Sequence, residues 1–196
     1  FFFLLFTCGI NAQQLESLKI LKIKHDSIET QLKLKYQEEI KGKSESEISE
    51  IYYQNLLSRS KNNRERLDHY FSAVQTFLET QKLIGPSQEA AQQEIPDKTA
   101  NYSQGFPALY KEVHDFIKNR YQDRLDEYFT KSAKIHFIVQ NDHSLYIEKV
   151  EGTEKEFNDL ALLAFLMTTG KWESAFQRGM NVKSKFVLPV KFVVEE

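Results

Sequence analysis

The sequence is poor in residues that build cross-links and nucleophilic centres. It has one cysteine, Cys8, together with four prolines and seven glycines in 196 residues. A single cysteine allows neither an intramolecular disulfide nor dithiol chemistry. Prolines this sparse do not form an extended polyproline spacer. No glycine-rich nucleophile elbow accompanies the scattered serines, so the adjacent His114 and Asp115 do not indicate a catalytic triad.

Charge of one sign is also lacking. The chain has 26 Lys and Arg residues against 28 Asp and Glu residues, a formal net charge of -2. Because this balance gives no basic surface, no nucleic-acid partner is predicted. The histidines show neither an HExxH motif nor paired ligand spacing, so no metal and no cofactor are predicted. We therefore expect a protein without enzymatic activity.

Apolar and aromatic residues are plentiful by contrast. Hydrophobic residues make up 41% of the chain and aromatic residues 13%, with 15 Phe and 9 Tyr. A chain of this length and composition can bury a sizeable core. We expect either one domain with an appendage or two small domains.

The first twelve residues are predicted to be a secretory signal peptide. An apolar, uncharged run from Phe1 to Phe6 is followed by small residues up to Ala12. This pattern is typical of a signal peptide over residues 1–12, with cleavage after Ala12. Two alternatives stay open: a membrane anchor, which requires about 20 apolar residues, and a buried N-terminal strand.

Cys8 is a candidate for lipid attachment. Leu5 precedes it and Gly9 follows it, as in the processing site of lipoproteins. Phe6 and Thr7 match poorly the small residues that such a site prefers. Lipid attachment is therefore an alternative to plain secretion.

Residues 13–84 carry the three- and four-residue apolar spacing of amphipathic helices. A break is expected around Gly42, and Gly85 with Pro86 ends the helical region. We expect a helical hairpin or small bundle that packs on itself, with a partner-binding coiled coil as the alternative. The predicted helices are residues 14–40, 47–60 and 64–83.

Residues 85–105 are predicted to be a linker. The segment contains Gly85, Pro86, Pro96 and Gly105, many polar residues and no apolar periodicity. It is short and not rich in proline. A separate C-terminal domain is expected to follow it over residues 106–196.

Strand and helix signals alternate in this C-terminal domain. We predict a helix that starts at Phe106 and Pro107, then a β-hairpin, a helix capped by Thr153 and Glu156, and a long last strand. Trp172 is predicted to close the core. The remaining predicted elements are strands with Ile135, Phe137 and Val139 on one buried face, a turn over 141–144, a strand from Leu145 to Val150, a helix over 156–169 ended by Gly170, a turn over 177–179 and the last strand over 182–194.

Taken in order, these elements resemble the C-terminal domain of TonB, the periplasmic protein that links inner-membrane energy to outer-membrane receptors. The resemblance covers residues 106–196, and the chain departs from the pattern at Gln122, His143 and Ser174. The residues that carry it are Phe106-Pro107, Phe137-Ile138-Val139, Asn141-Asp142, Val150-Glu151-Gly152, Ala161, Ala164, Trp172, Gly179 and Pro189-Val190-Lys191-Phe192.

The resemblance implies an α+β fold with a small antiparallel sheet. It also implies that the last strand binds an extended segment of an outer-membrane receptor through main-chain hydrogen bonds. Pro189 cannot donate such a bond, so we expect its nitrogen to face away from a partner, or a bulge to hold it. The alternative is a plain sheet edge kept soluble by its lysines. The residues predicted for the docking edge are Lys185, Phe186, Val187, Leu188 and Val190.

The functional expectation follows from this resemblance. We expect a secreted, periplasmic, non-enzymatic protein that binds extended segments of envelope proteins, including receptors of TonB-dependent transport across the outer membrane. It would touch the membrane only through an N-terminal anchor or a lipid on Cys8. The alternative is a self-associating structural or scaffolding envelope protein, a homo-oligomer with no role in energy transduction.

Overall fold

The computed structural model describes residues 2–86, 96–120 and 129–194. The chain has a mixed α+β fold, in which two long helices are followed by small antiparallel sheets and two further helices. Gln122 and residues 87–95 of the predicted linker lie outside the described residues. The elements are α1 (Phe2–Glu39), α2 (Glu45–Ile84), β1 (Asn101–Tyr102), α3 (Phe106–Arg120), β2 (Phe129–Val139), β3 (Leu145–Gly152), α4 (Lys155–Leu166), β4 (Trp172–Glu173), β5 (Ala175–Gln177), β6 (Met180–Val182) and β7 (Ser184–Val194).

The N-terminal region contains two helices rather than three. The predicted break between residues 60 and 64 is wrong, since α2 runs without interruption from Glu45 to Ile84. No glycine or proline stands at that point, and Asn62 bonds through its buried side chain to His25 of α1. The buried-strand alternative for the N-terminus is also wrong, because α1 begins at Phe2.

Both ends of α2 follow the expected chemistry. Gly42 adopts φ +68° in the turn that precedes the helix, a conformation that glycine enters without penalty. Glu47 accepts hydrogen bonds from the backbone N–H and the hydroxyl of Ser44, which holds the first turn. Gly85, with φ +73°, donates its N–H to the carbonyl of Gln81 and ends the helix.

Contacts divide the chain within α2 rather than at the predicted linker. Residues 16–75 form one compact unit, and the chain from Thr76 onward belongs to the other. Part of the segment predicted as a linker is folded into the second unit. Lys98 forms a bridge with Phe176, and β1 pairs antiparallel with β4.

The second unit is built around a three-stranded antiparallel sheet with the order β3-β2-β7. Strand β2 pairs with β7 over eleven residues without a shift, from Phe129 opposite Val194 to Val139 opposite Ser184. Its pairing with β3 shifts between His136 and Phe137, which marks a β-bulge. The predicted hairpin is thus confirmed, and β2 is the central strand.

Helices α3 and α4 cover one face of this sheet. The predicted buried face of β2 is confirmed, since Ile135, Phe137 and Val139 are fully buried, but Ile138 on the opposite face is buried too. Leu109, Val113 and Ile117 of α3 face the core. Eight of the twelve residues of α4 are buried, which explains its nearly continuous apolar sequence.

Three predicted details of the C-terminal unit are wrong. The N-cap of α4 is Glu154 without a side-chain cap, because the hydroxyl of Thr153 lies instead toward the backbone of Ser132 in β2. Helix α4 ends at Leu166, short of Gly170. The predicted last strand is divided, since residues 180–182 pair with β5 and β7 begins only at Ser184.

Candidate functional site: the edge of strand β7

Strand β7 lies at one edge of the three-stranded sheet. Strand β2 occupies one side of it along its whole length. On the other side, no strand pairs with β7 within residues 2–86, 96–120 and 129–194. This edge therefore presents main-chain groups that an added strand could pair with.

Pro189 shows which residues of β7 turn their main chain outward. It lies opposite Lys134 in an unshifted register, so the bulge alternative does not apply here. Residues of an antiparallel pair alternate between hydrogen-bonded and non-bonded positions, and proline has no N–H to give to β2. Its nitrogen therefore faces the open edge. By the same alternation, Lys185, Val187 and Lys191 direct their N–H groups outward.

The five predicted edge residues consequently fall into two groups. Lys185 and Val187 present both main chain and side chain to solvent, and Val187 is 52% exposed. The main-chain groups of Phe186, Leu188 and Val190 turn toward β2, and their side chains point to the core. Only the first group can donate main-chain hydrogen bonds to a docked segment. The second group fixes the strand in place.

An aromatic cluster anchors β7 from the inner face. The ring of Phe186 stacks on Phe137 with centroids 5.5 Å apart and lies 5.8 Å from Trp172 and 6.0 Å from Phe106. The core position predicted for Trp172 is confirmed, since it is only 7% exposed. Its indole Nε1 has no hydrogen-bond partner among the described residues. The position of the edge thus depends on packing between four aromatic rings.

The loop before β4 is fitted closely around Tyr102. The Tyr102 hydroxyl donates to Glu112 of α3 and accepts the N–H of Gly170, and burial raises the pKa of this phenol. A Cβ on Gly170 would lie 2.3 Å from a ring carbon of Tyr102. Glycine is therefore required here for close approach. This contact positions Trp172, which follows shortly after in the chain.

Two of the departures from the TonB-like pattern contact each other. His143 adopts φ +68°, and its Nδ1 accepts the backbone N–H of Ser174 at 2.9 Å. The Ser174 hydroxyl lies 2.8 Å from the same nitrogen and 2.6 Å from the carbonyl oxygen of Gln140. The pair ties the β2–β3 turn to the segment after Trp172. Neither residue was expected to make this contact.

A serine beside an imidazole is also the arrangement of a nucleophile and its base. Ser174 is only 4% exposed, and its single hydroxyl hydrogen is within reach of the Gln140 carbonyl. A substrate carbonyl could not approach this oxygen. The geometry is that of a structural contact.

At the opposite edge of the sheet, one residue of β3, Ile147, is covered by a side chain that was not predicted from the sequence. The Gln81 side chain donates its amide N–H to the carbonyl of Ile147 at 2.7 Å and accepts the N–H of Ile147 at 3.0 Å. Gln81 is only 3% exposed. Its amide thus pairs with β3 as a strand residue would. The sequence contains one sign of this contact, because Gln81 occupies a position in a helical stripe whose other members are apolar.

A depression lies on the outer face of the sheet around Pro189. Its volume is about 520 Å³. Residues of all three strands line it. The lining residues are Ser132, Ala133, Lys134, Glu151, Gly152, Thr153, Pro189, Val190 and Lys191.

Comparisons with protein families, with curated proteins and with solved structures gave no match. Within the described residues, no helix is both long and apolar enough to cross a membrane. The same part of the chain contains no group of three or more His, Cys, Asp or Glu side chains placed to hold a metal ion.

Proposed function

We propose that the chain is a non-enzymatic, periplasmic, TonB-like protein whose C-terminal unit binds extended segments of envelope proteins, outer-membrane receptors among them. The observation that carries this proposal is the open edge of β7, with Lys185, Val187 and Lys191 directing N–H groups outward. An extended segment that joins this edge gains regular main-chain hydrogen bonds.

The length, regular pairing and aromatic anchoring of β7 favour a strand that binds a partner over one that is simply exposed to solvent. Edge strands are commonly blunted by short length, bulges, covering segments, proline or lysine, and β7 carries only the last two, Pro189 with Lys185 and Lys191. Strand β7 has eleven residues, pairs without a bulge, and is anchored by the cluster around Phe186. A rigid edge loses little conformational entropy when a segment joins it.

The test removes one outward N–H without touching the core. Val187→Pro deletes the donor at the middle of the edge, while Val187→Thr keeps the donor and a similar side-chain volume. A photoreactive residue replaces Lys185 in intact cells, and captured proteins are identified by mass spectrometry. We expect capture of a transport receptor with the parent protein and with the Val187→Thr variant, and its loss with Val187→Pro.

Two results would contradict the proposal. One is self-capture alone, or no capture, in the otherwise unchanged protein. The other is equal receptor capture in the Val187→Pro and Val187→Thr variants, because the main-chain donor would then be irrelevant.

One observation favours the alternative of a self-associating scaffold. Several large apolar side chains of the unit formed by residues 16–75 are exposed, and two helices alone cannot bury apolar residues on all their sides. Analytical sedimentation of the chain distinguishes this alternative from the first proposal, because it measures whether the protein associates with itself. The exposed residues are Ile20, Ile23, Leu34, Tyr52, Tyr53, Leu56 and Leu57.

A further inference from the structure

The unit formed by residues 16–75 contains a buried imidazole that the proposed function does not use. His25 of α1 is 1% exposed and lies between two polar side chains of α2. Its Nδ1 lies 2.8 Å from Oδ1 of Asn62, and its Nε2 lies 3.0 Å from Nδ1 of His69. A chain of hydrogen bonds therefore joins the two helices at this point.

The Asn62 amide determines where the protons of this chain lie. Its Nδ2 lies 3.3 Å from the carbonyl oxygen of His25 and can only donate, so Oδ1 must face the ring. Because Oδ1 only accepts, Nδ1 of His25 carries a proton. A neutral His25 then offers a lone pair on Nε2, and His69 must donate to it from Nδ1.

This chain can take up one further proton but not two. His69 is an exposed residue, and a proton added to its Nε2 leaves Nδ1 as a donor on a charged ring, which strengthens the hydrogen bond. A second proton would go to Nε2 of His25. Two N–H donors would then face each other across 3.0 Å, and a charge would occupy a site that is 1% exposed. The hydrogen bond between the rings would be lost.

The groups around the rings give little compensation for a charge on the buried imidazole. The two carboxylates of α1 closest to it in the sequence are each paired with an arginine of α2. Asp26 lies 3.0 Å from Arg66. Glu29 lies 2.7 Å from Arg59. Burial raises the pKa of Tyr70, whose ring lies 6.4 Å from the buried imidazole, to about 12, so this phenol stays neutral. The other charged side chains within one turn of either ring are Lys22, Lys24, Glu65 and Asp68.

We propose that the contact between His25 and His69 is a pH-sensitive switch between α1 and α2, which stays closed with one added proton and opens when both rings are charged. The switch goes beyond the proposed function, because all its residues belong to the unit formed by residues 16–75 and none to the sheet. Histidine ordinarily changes charge between pH 5 and 8, whereas carboxylates ordinarily do so near pH 4. The packing of the two helices would thus respond to mild acid.

The first test reads the proton positions at pH 8. Long-range nuclear magnetic resonance of the protein with ¹⁵N-labelled histidine distinguishes the two neutral tautomers of each ring. The chain has five histidines, so single substitutions assign the signals. We expect the Nδ1–H tautomer at both His25 and His69. An Nε2–H tautomer at His25 would overturn the proposal, because that nitrogen could not accept a hydrogen bond from His69.

The second test follows the opening in acid. Amide hydrogen exchange of residues 16–75, corrected for the intrinsic effect of pH, is measured from pH 8 to pH 4.5. Protection should persist while the first proton binds and fall at least about tenfold by about pH 5, the size expected for the loss of one hydrogen bond to a charged group. The same spectra show how many protons the two rings have taken up.

His69→Asn separates the switch from its surroundings. The amide of asparagine does not titrate, and it can turn either its donor or its acceptor toward His25. Protection should therefore match the parent protein at pH 8 and persist to pH 5. The matched control is His114→Asn, which removes an exposed imidazole from α3 in the other unit. This control should open like the parent.

Three results would overturn the switch. One is an equal fall of protection in the parent and in His69→Asn, because carboxylates such as Asp26 and Glu29 would then be responsible. Another is protection that stays unchanged in the parent down to pH 4.5. The third is a fall that accompanies the first proton rather than the second. None of these measurements involves β7, so each leaves the proposed docking edge untouched.

Discussion

The two edges of the three-stranded sheet end in different ways. At β3, the Gln81 amide occupies the N–H and carbonyl of Ile147, so a side chain from a helix takes the place of a strand. At β7, no strand or side-chain amide pairs with the outward groups among the described residues, and Pro189 only interrupts the row of donors. The two edges thus differ at one defined place, since a buried amide blocks the pairing of a further strand at Ile147 and no such contact blocks the outward groups of β7 among the described residues.

The largest effect is expected where the open edge loses its anchor. Phe186→Ala removes the ring that stacks on Phe137 and contacts Trp172. The free energy of unfolding should fall by about 3 kcal/mol, because the lost aromatic side chain leaves a cavity. Urea unfolding followed by circular dichroism measures it.

The control for this change lies on the same strand. Val187→Ala, on the exposed face, should change the free energy of unfolding by about 0.5 kcal/mol or less. If Phe186→Ala and Val187→Ala lowered the free energy of unfolding by similar amounts, the conclusion that Phe186 anchors β7 from its inner face would be wrong.

A smaller loss is expected when the covered edge is opened. Gln81→Ala leaves the buried N–H and carbonyl of Ile147 without partners, which costs about 2 kcal/mol. Size-exclusion chromatography should also detect association through the newly exposed edge of β3.

Gln54→Ala provides the matched comparison on the same helix, because Gln54 bonds through its side chain to the exposed Glu50. Its unfolding free energy should stay within about 0.5 kcal/mol of the parent value. If Gln81→Ala were as stable as Gln54→Ala, the Gln81 contact would not stabilise the edge at β3, and the two edges of the sheet would not differ in the way described.

The smallest effect concerns the other end of the helix that carries Gln81. Hydrogen bonds from Ser44 lower the pKa of Glu47 to about 2, from an ordinary value of 4.5. A depressed pKa stabilises the fold above pH 4.5, and this contribution disappears as the pH falls from 4.5 through about 2. The first turn of α2 should therefore fray in this range.

Nuclear magnetic resonance of the Ser44 amide measures that transition. The Gln81 contact contains no titrating group, so the amide of Ile147 should not follow the same curve. Glu47→Gln should remove the Ser44 transition. A Ser44 signal that stays unchanged in the parent protein as the pH falls from 4.5 to about 2 would contradict the assignment of the pKa to this contact.

The sequence predicted the α+β character, the hairpin and the buried position of Trp172, because these depend on local periodicity and turn residues. It did not predict the continuous α2 or the Gln81 contact. Both depend on polar side chains, Asn62 and Gln81, that find buried partners far along the chain. Local propensity carries no information on such partners.

The docking edge was predicted as a segment but not as an alternation. The prediction gave the same role to all five residues, Lys185, Phe186, Val187, Leu188 and Val190, because they are consecutive members of one strand or nearly so. The register with β2, and the absent N–H of Pro189, decide which of them face outward. This register depends on pairing with β2, a strand that is distant in the sequence, as in the pair of Ser184 with Val139. The sequence of β7 alone does not specify which residues it will pair with.

The single indole of the chain has a practical consequence. Trp172 packs against Phe186, the residue that fixes the open strand, and its Nε1 has no partner among the described residues. Its emission is therefore sensitive to small displacements of β7. The native protein therefore carries its own optical probe of the position of β7, and the proposed docking at this edge can be tested by titration with unlabelled peptide and tryptophan fluorescence alone.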